Sequence, residues 1–332
     1  MAIPIHLLTG FLGSGKTTLL NHLLRDKRMA GTAVLVNEIG TIGIDHDLVV
    51  GGSDDMLLLD SGCLCCQPRG SIAEALMRLA DGPPESAFQP PCRVIIETSG
   101  AANPIPILET FALTHALRDR FQLASIVIML DAVFGTDTLA EHREAPLQLA
   151  SADCVVISKT DLLDKDHSLD RLHSEIDRHN TSAARYTGGT DTIPDVLFDM
   201  LTGPVASEIT RLSPSLSLTE AAHDGDGFDT TALAFPGFLS ADAVQKWISD
   251  LLDIYGAHLL RAKGLINLEG YDRQAALQCV RDIVHPMHLA ETKCMDADNR
   301  VVIISRDIHP DLLRDQLEQL SAMARQNRAA QP

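Results

Sequence analysis

The amino-acid sequence predicts an α/β fold, a mostly parallel sheet with helices on both faces, joined to a smaller α+β domain at the C-terminal end. Three observations lead there. Short, β-branched apolar runs alternate with helical patterns through the first half of the chain. A glycine-rich loop connects the first of these runs to the first helical stripe. The periodicity then fades between Gly203 and Asp229 before a second group of elements begins. At 332 residues the chain is long enough for two domains with separate cores.

The strands come first. Ile3 to Leu8, Thr32 to Val36, Arg93 to Ile96, Ser125 to Asp131 and Cys154 to Ile157 are short, apolar and bounded by turn residues, which suits strands buried on both faces. Leu19, Leu20, Leu23 and Leu24 give a helical stripe after the first strand, and Ile72 to Leu79 gives another. Strands separated by helices predict parallel pairing. We read residues 1–203 as the α/β domain, 204–229 as a linker or loop rich in Pro, Ser, Gly and Asp, and 230–325 as the α+β domain. In the latter, Ser240 is placed to N-cap a helix carrying Val244, Trp247, Ile248, Leu251 and Leu252, and Leu313, Leu317, Leu320 and Ala324 mark a terminal amphipathic helix. Leu259 to Leu268 and Arg300 to Ser305 read as strands, while Gln274 to Val284 fits either period.

Charge narrows the function classes. Asp and Glu outnumber Lys and Arg 45 to 27, and the net charge of −18 repels phosphate backbones and anionic lipid, so neither nucleic acid nor a membrane is an expected partner. The first apolar stretch breaks at the glycines of Gly10 to Gly15 without a basic segment before it, which fits neither a signal peptide nor a span. A cytoplasmic location is the expectation.

Gly10-Phe11-Leu12-Gly13-Ser14-Gly15-Lys16-Thr17 matches the P-loop pattern in its required context, after a strand and opening a helix. Gly10, Gly13, Ser14 and Gly15 let backbone N–H groups turn toward phosphates, and Thr18 follows in the first helical turn. Lys16 reaches the outer phosphates, and the Thr17 hydroxyl faces Mg²⁺. Glu97, at the end of the strand Arg93 to Ile96, is the candidate for a second Mg²⁺ and water contact, with Gly100 freeing the backbone near the γ-phosphate. Ser158-Lys159-Thr160-Asp161 ends a later strand and resembles the guanine-reading element of GTPases. There the Asp161 carboxylate would accept from N1–H and the exocyclic amine, a donor edge that adenine lacks. The usual first residue is Asn; Ser158 keeps only a hydroxyl. No Gln stands next to Gly100 in sequence to orient water, so Glu97 is a candidate for that role and hydrolysis would be slow.

Of seven cysteines, Cys63, Cys65 and Cys66 crowd into one Gly-Cys-Leu-Cys-Cys loop. Soft thiolates at this spacing suit Zn²⁺, Co²⁺, Cu⁺ or iron; an oxidisable switch and inert packing are the other readings of the same residues. Cys92, Cys154, Cys279 and Cys294 are scattered, as expected of buried small apolar side chains. At the level of function, the alternatives to a metal-handling GTPase are a small-molecule phosphotransferase and a redox-sensing nucleotide-binding interaction protein.

Taken together, these motifs resemble the CobW-like metallochaperone GTPases, relatives of the hydrogenase and urease accessory GTPases. Asn37-Glu38-Ile39-Gly40 with Ile44-Asp45, and Leu260-Arg261-Ala262-Lys263-Gly264, extend the resemblance over nearly the full length. It implies a SIMIBI-class nucleotide-binding domain, a CobW-like C-terminal domain, hydrolysis of GTP to GDP, and Zn²⁺ or Co²⁺, with Fe²⁺ as a further candidate, held by Cys63, Cys65 and Cys66. It also implies Glu38 near nucleotide and metal, where Glu38 is the alternative to Glu97 for orienting water; a client metalloenzyme is the expected partner, with a homodimer as one candidate assembly and the oligomeric state left open. Where the family often has Glu, Asp and a long His-rich loop, this chain has Thr41, Asn103 and only His223, Asp224 and Asp226.

Overall fold

The computed structural model describes residues 2–36, 58–60, 70–81, 90–163, 168–180, 183–188, 195–203, 222–223, 228–256, 258–280, 283–284, 287–293 and 298–329. The chain forms two compact units, 1–176 with 185–203, and 177–184 with 204–332.

The strands of the first unit are β1 (Ile3–Gly10), β2 (Thr32–Val36), β3 (Leu58–Asp60), β4 (Arg93–Glu97), β5 (Phe121–Asp131), β6 (Cys154–Ser158) and β7 (Ala184–Thr187). They lie in the order β3-β2-β4-β1-β5-β6-β7. Every pair from β3 across to β6 is parallel. The helices are α1 (Lys16–Leu24), α2 (Gly70–Asp81), α3 (Ile105–Leu113), α4 (His115–Arg120), α5 (Gly135–Glu141), α6 (Glu144–Ser151), α7 (Asp170–His179) and α8 (Asp195–Thr202). A parallel sheet needs crossover helices on its faces, and burial follows from that. Leu19 and Leu23 of α1 and Leu197 and Leu201 of α8 pack with Leu8, Val34, Ile95, Val127 and Val156 in one core. Ile5 and Leu7, which alternate with Leu8, are also fully buried, so the opposite face is covered too.

This agrees with the sequence reading, with longer strands and two additions, β3 and β7. The α2 helix spans the predicted Ile72 to Leu79 stripe, whose Ile72, Leu76 and Leu79 are buried. Cys154 and Cys279 are buried as expected, whereas Cys92 is exposed. Cys92 precedes β4 at its amino end, where the strand leaves the surface, and its Sγ turns to the Gly31 carbonyl at 3.2 Å. Cys294 lies outside the described residues.

The second unit is an antiparallel sheet. Its strands are β8 (Ala222–His223), β9 (Phe228–Phe235), β10 (Leu259–Asn267), β11 (Arg273–Val280), β12 (Ile283–Val284), β13 (His288–Lys293) and β14 (Asn299–Arg306). The order is β12-β11-β10-β14-β9-β8, and β13 also pairs with β11. Helices α9 (Ala241–Tyr255) and α10 (Pro310–Ala329) bury Trp247, Leu251, Leu313 and Leu317 in a core with Phe235, Ala262, Leu277 and Ile303. The Ser240 hydroxyl accepts from the Ala243 N–H at 3.2 Å, the expected cap. The ambiguous stretch from Gln274 is a strand: Ala275, Leu277 and Cys279 alternate into the core, a period of two. At the end of the predicted linker, Ala222–His223 pairs antiparallel with β9, His223 opposite Asp229; 204–221 and 224–227, with Asp224 and Asp226, lie outside the described residues. Among the described residues, no helix is long and apolar enough to cross a membrane.

Candidate nucleotide-binding site

The sheet order fixes where a ligand can sit. The chain leaves β1 toward β2 on one side, and after β4 it crosses β1 to reach β5 on the other. A crevice therefore opens at the carboxyl end of β1, the position at which open α/β sheets bind ligands. The carboxyl ends of β4, β1, β5 and β6 stand side by side there, ending in Glu97, Gly10, Asp131 and Ser158.

Gly10, Gly13 and Gly15 have φ angles of 138°, 73° and 97°, and Lys16 opens α1. At Gly10 a side chain is impossible: a Cβ would lie 2.4 Å from the Met129 carbonyl of β5. The loop runs straight into the N-terminus of α1, and the first N–H groups of a helix have no intrahelical partner, which suits an anion. The Lys16 ammonium donates to the Gly10 and Phe11 carbonyls at 2.8 and 3.1 Å, so it already lies along the loop. Ser14 is buried, and Thr18 is exposed in the first turn of α1. The Phe11 ring stacks on His142, centroids 4.2 Å apart, tying the loop to the end of α5.

Thr17 and Glu97 meet as expected. The Thr17 Oγ1 donates to Glu97 Oε1 at 2.7 Å, and Glu97 is buried at 4% exposure. A hydroxyl and a carboxylate joined beside a phosphate-type loop form a hard oxygen donor pair, which fits Mg²⁺. Gly100 follows on the same side: a Cβ there would meet the Leu12 backbone N at 2.5 Å, so the turn after β4 lies directly against the loop.

The Ser158 to Asp161 element reaches the same loop. The Ser158 hydroxyl donates to the Ser14 carbonyl at 2.7 Å, bracing the phosphate loop from β6 although an amide is lacking. Lys159 has φ 57°, in the left-handed region, and Asp161 is exposed in the short 3₁₀ turn Thr160–Leu162.

Two residues that the sequence reading did not single out belong to this cluster. Asp131, ending β5, pairs with the Lys159 ammonium at 2.5 Å and accepts from the Val133 and Phe134 N–H groups at 2.8 and 3.2 Å. Gln148, buried in α6, donates its amide to the Gly100 and Ala102 carbonyls at 3.2 and 2.9 Å. A carboxylate terminating an apolar strand was a readable signal for Asp131, as it was for Glu97. Gln148 had only its polarity in an apolar helix. Asn103, where relatives often carry Asp, accepts from the Ile105 N–H at 2.9 Å and starts α3.

The predicted Glu38, Cys63, Cys65 and Cys66 lie outside the described residues. Among the described residues, no three His, Cys, Asp or Glu side chains form a metal-holding group.

Fold and site thus define a P-loop nucleotide-binding protein, with the phosphate loop strand next to the strand of its acidic partner, extended by an antiparallel α+β unit. The family model described as CobW/HypB/UreG, nucleotide-binding domain, matches residues 4–186, and that of the Cobalamin synthesis protein cobW C-terminal domain matches 228–321. The chain belongs to the CobW/HypB/UreG family, as the motif resemblance implied. It is 29% identical over 282 residues to the zinc chaperone YjiA of Escherichia coli, covering 84% of this chain and 86% of that one. It is 34% identical over 168 residues to zinc-regulated GTPase metalloprotein activator 1 of Schizosaccharomyces pombe, covering 48% of this chain and 40% of that one. The crystal structure of Zn(II)-bound YjiA from E. coli superposes with a TM-score of 0.64 at 24% identity, over 96% of this chain and 99% of that one, a likeness in fold.

Proposed function

We propose that this chain is a GTP-hydrolysing metallochaperone whose cargo is a transition-metal ion, Zn²⁺ before Co²⁺, held by Cys63, Cys65 and Cys66 with Glu38 nearby and passed to a client metalloenzyme. The observation that carries the reading is the convergence of Lys16, the Thr17–Glu97 pair and the Ser158–Ser14 bond on one phosphate loop. It occurs in a chain with both domains of the family, and relatives of that family bear the names zinc chaperone and zinc-regulated GTPase.

In this reading the loop N–H groups and Lys16 bind the triphosphate, and the Lys16 charge offsets the negative charge of the transferring phosphoryl group. Thr17 and Glu97 would hold Mg²⁺, which supplies charge neutralisation on the β- and γ-oxygens when bound. Gly100, pressed against Leu12, keeps side chains away from the terminal phosphate. Asp161 selects guanine, and Glu38 or Glu97 orients water. The segment with Glu38 and the thiol loop both lie between the phosphate loop and Glu97 in sequence, so γ-phosphate contacts can set thiol geometry, as in other nucleotide switches.

Competitive titration of the full chain with Zn²⁺ in the presence of GTP, and separately of GDP, tests the coupling. Zn²⁺ should bind more tightly in one nucleotide state than in the other, and Cys65→Ser with Cys66→Ser should weaken metal binding while GTP affinity stays unchanged. Equal Zn²⁺ affinities with the two nucleotides would remove the gating step. Unchanged Zn²⁺ affinity in the double variant would remove the thiols as ligands.

A further inference from the structure

Asp131 has no part in the reading above, yet both of its carboxylate oxygens are engaged. It is 8% exposed, its Oδ1 is taken by two backbone N–H groups of the turn that follows, and its Oδ2 meets the Lys159 ammonium at 2.5 Å. The Ala132 N–H also donates to the Ser158 carbonyl at 2.9 Å, so the turns after β5 and β6 are tied together. Lys159 is held in left-handed backbone, φ 57°, a conformation unfavourable for a non-glycine residue. The backbone strain and the ion pair together fix both ends of one flexible side chain. With its ammonium paired to Asp131 and its side chain 34% exposed, Lys159 has a methylene stem within reach of a ligand. Asp161, two residues on, is exposed beside it.

We propose that Asp131 is a positioning residue for base recognition: by anchoring the Lys159 ammonium it holds the lysine stem as the surface against which the flat face of the guanine lies, while Asp161 takes the base edge. The proposal rests on the guanine reading of Asp161 given above. A free lysine loses much of its rotamer freedom when it is ordered against a ligand, and an anchor paid in the unliganded protein removes that loss from binding. The base is common to GTP and GDP, so the benefit is the same for both nucleotides.

The test is equilibrium titration of the full chain with fluorescent methylanthraniloyl GTP and GDP, on Asp131→Asn, Lys159→Met, and the two combined. Asn at 131 can still accept from Val133 and Phe134, and Met at 159 keeps much of the stem without the charge. Asp131→Asn should weaken both nucleotides equally, about tenfold, and raise KM for GTP while kcat stays within about twofold. The combined variant should bind no more weakly than Lys159→Met alone, because Asp131 acts through Lys159. Should Asp131→Asn not fold, Lys159→Met by itself must show the tenfold loss. Wild-type affinity in Asp131→Asn, or losses that multiply in the combined variant, would overturn the proposal. Asp161→Asn separates it from its foundation: preference should move from guanosine to xanthosine triphosphate. No such move would remove the base reading, whatever Asp131→Asn does.

Discussion

Replacing Gly100 with alanine tests how tightly the turn after β4 is built against the phosphate loop. An alanine Cβ would lie 2.5 Å from Leu12 N, 2.6 Å from Leu12 Cδ2 and 2.7 Å from Leu12 Cα. Ordinary contact between carbon atoms begins near 3.5 Å, so one of the two segments must retreat by about 1 Å. The Leu12 side chain is 65% exposed and can swing aside, but its N and Cα belong to the loop backbone. Gly100 cannot yield easily either, since Gln148 holds its carbonyl at 3.2 Å and that of Ala102 at 2.9 Å. Overpacking of this kind costs about 1 to 3 kcal/mol. Without nucleotide the loop tip can move and relieve most of it. With phosphates bound the loop N–H groups are held in place, and the cost returns as lost affinity. At 1.4 kcal/mol per decade, Gly100→Ala should bind GTP about 5- to 150-fold more weakly. Titration with methylanthraniloyl GTP reads the affinity, and the GTP-induced rise in unfolding temperature should shrink in parallel. A variant with wild-type affinity and a wild-type thermal shift would refute the reasoning, because it would mean that Gly100 and the loop are not in contact when nucleotide is bound.

Two further outcomes follow from buried groups in the same sheet. Ser158→Ala removes the donor at 2.7 Å from the Ser14 carbonyl, and a buried acceptor left without its partner costs about 1 to 3 kcal/mol. Urea unfolding should show that loss and GTP affinity should fall, whereas unchanged values in both assays would mean that the bond braces nothing. His6 lies in β1 with its Nδ1 2.8 Å from the Ser125 hydroxyl, and burial, with Arg93 nearby, lowers its pKa from 6.5 to about 3. The unfolded chain therefore binds a proton between pH 6.5 and 3 that the folded chain does not, so this stability is present above pH 6.5 and is lost as pH falls. Between pH 7 and 5 the loss amounts to about 2 kcal/mol. Urea unfolding at both values should show a steeper pH dependence for the wild type than for His6→Gln, and equal slopes would exclude His6 as the source.

What was legible in the sequence was local. Strand periods, the glycine spacing around Lys16, the Ser240 cap and the acidic ends of β-runs all depend on neighbours a few residues away, and the structure reproduces them. The stretch from Gln274 shows the limit: eleven residues satisfied both periods, and only the packing of Ala275, Leu277 and Cys279 into the core selected the strand. Cys92 shows another, since burial depends on where a strand meets the surface and not on the type of side chain alone.

The sequence by itself located the phosphate loop, the acidic end of the β4 run and the Ser158 to Asp161 element, because each is a short stretch that depends on particular residue types in a row. Only the tertiary structure decided how these motifs join. The bond from Ser158 to Ser14 spans 144 positions, that from Thr17 to Glu97 spans 80, and the Asp131–Lys159 pair spans 28. Contacts of this kind arise from the order β4-β1-β5-β6, which brings distant strand ends side by side. No local pattern encodes that order; it is set by which strand edges pair, through hydrogen bonds between segments far apart in the chain.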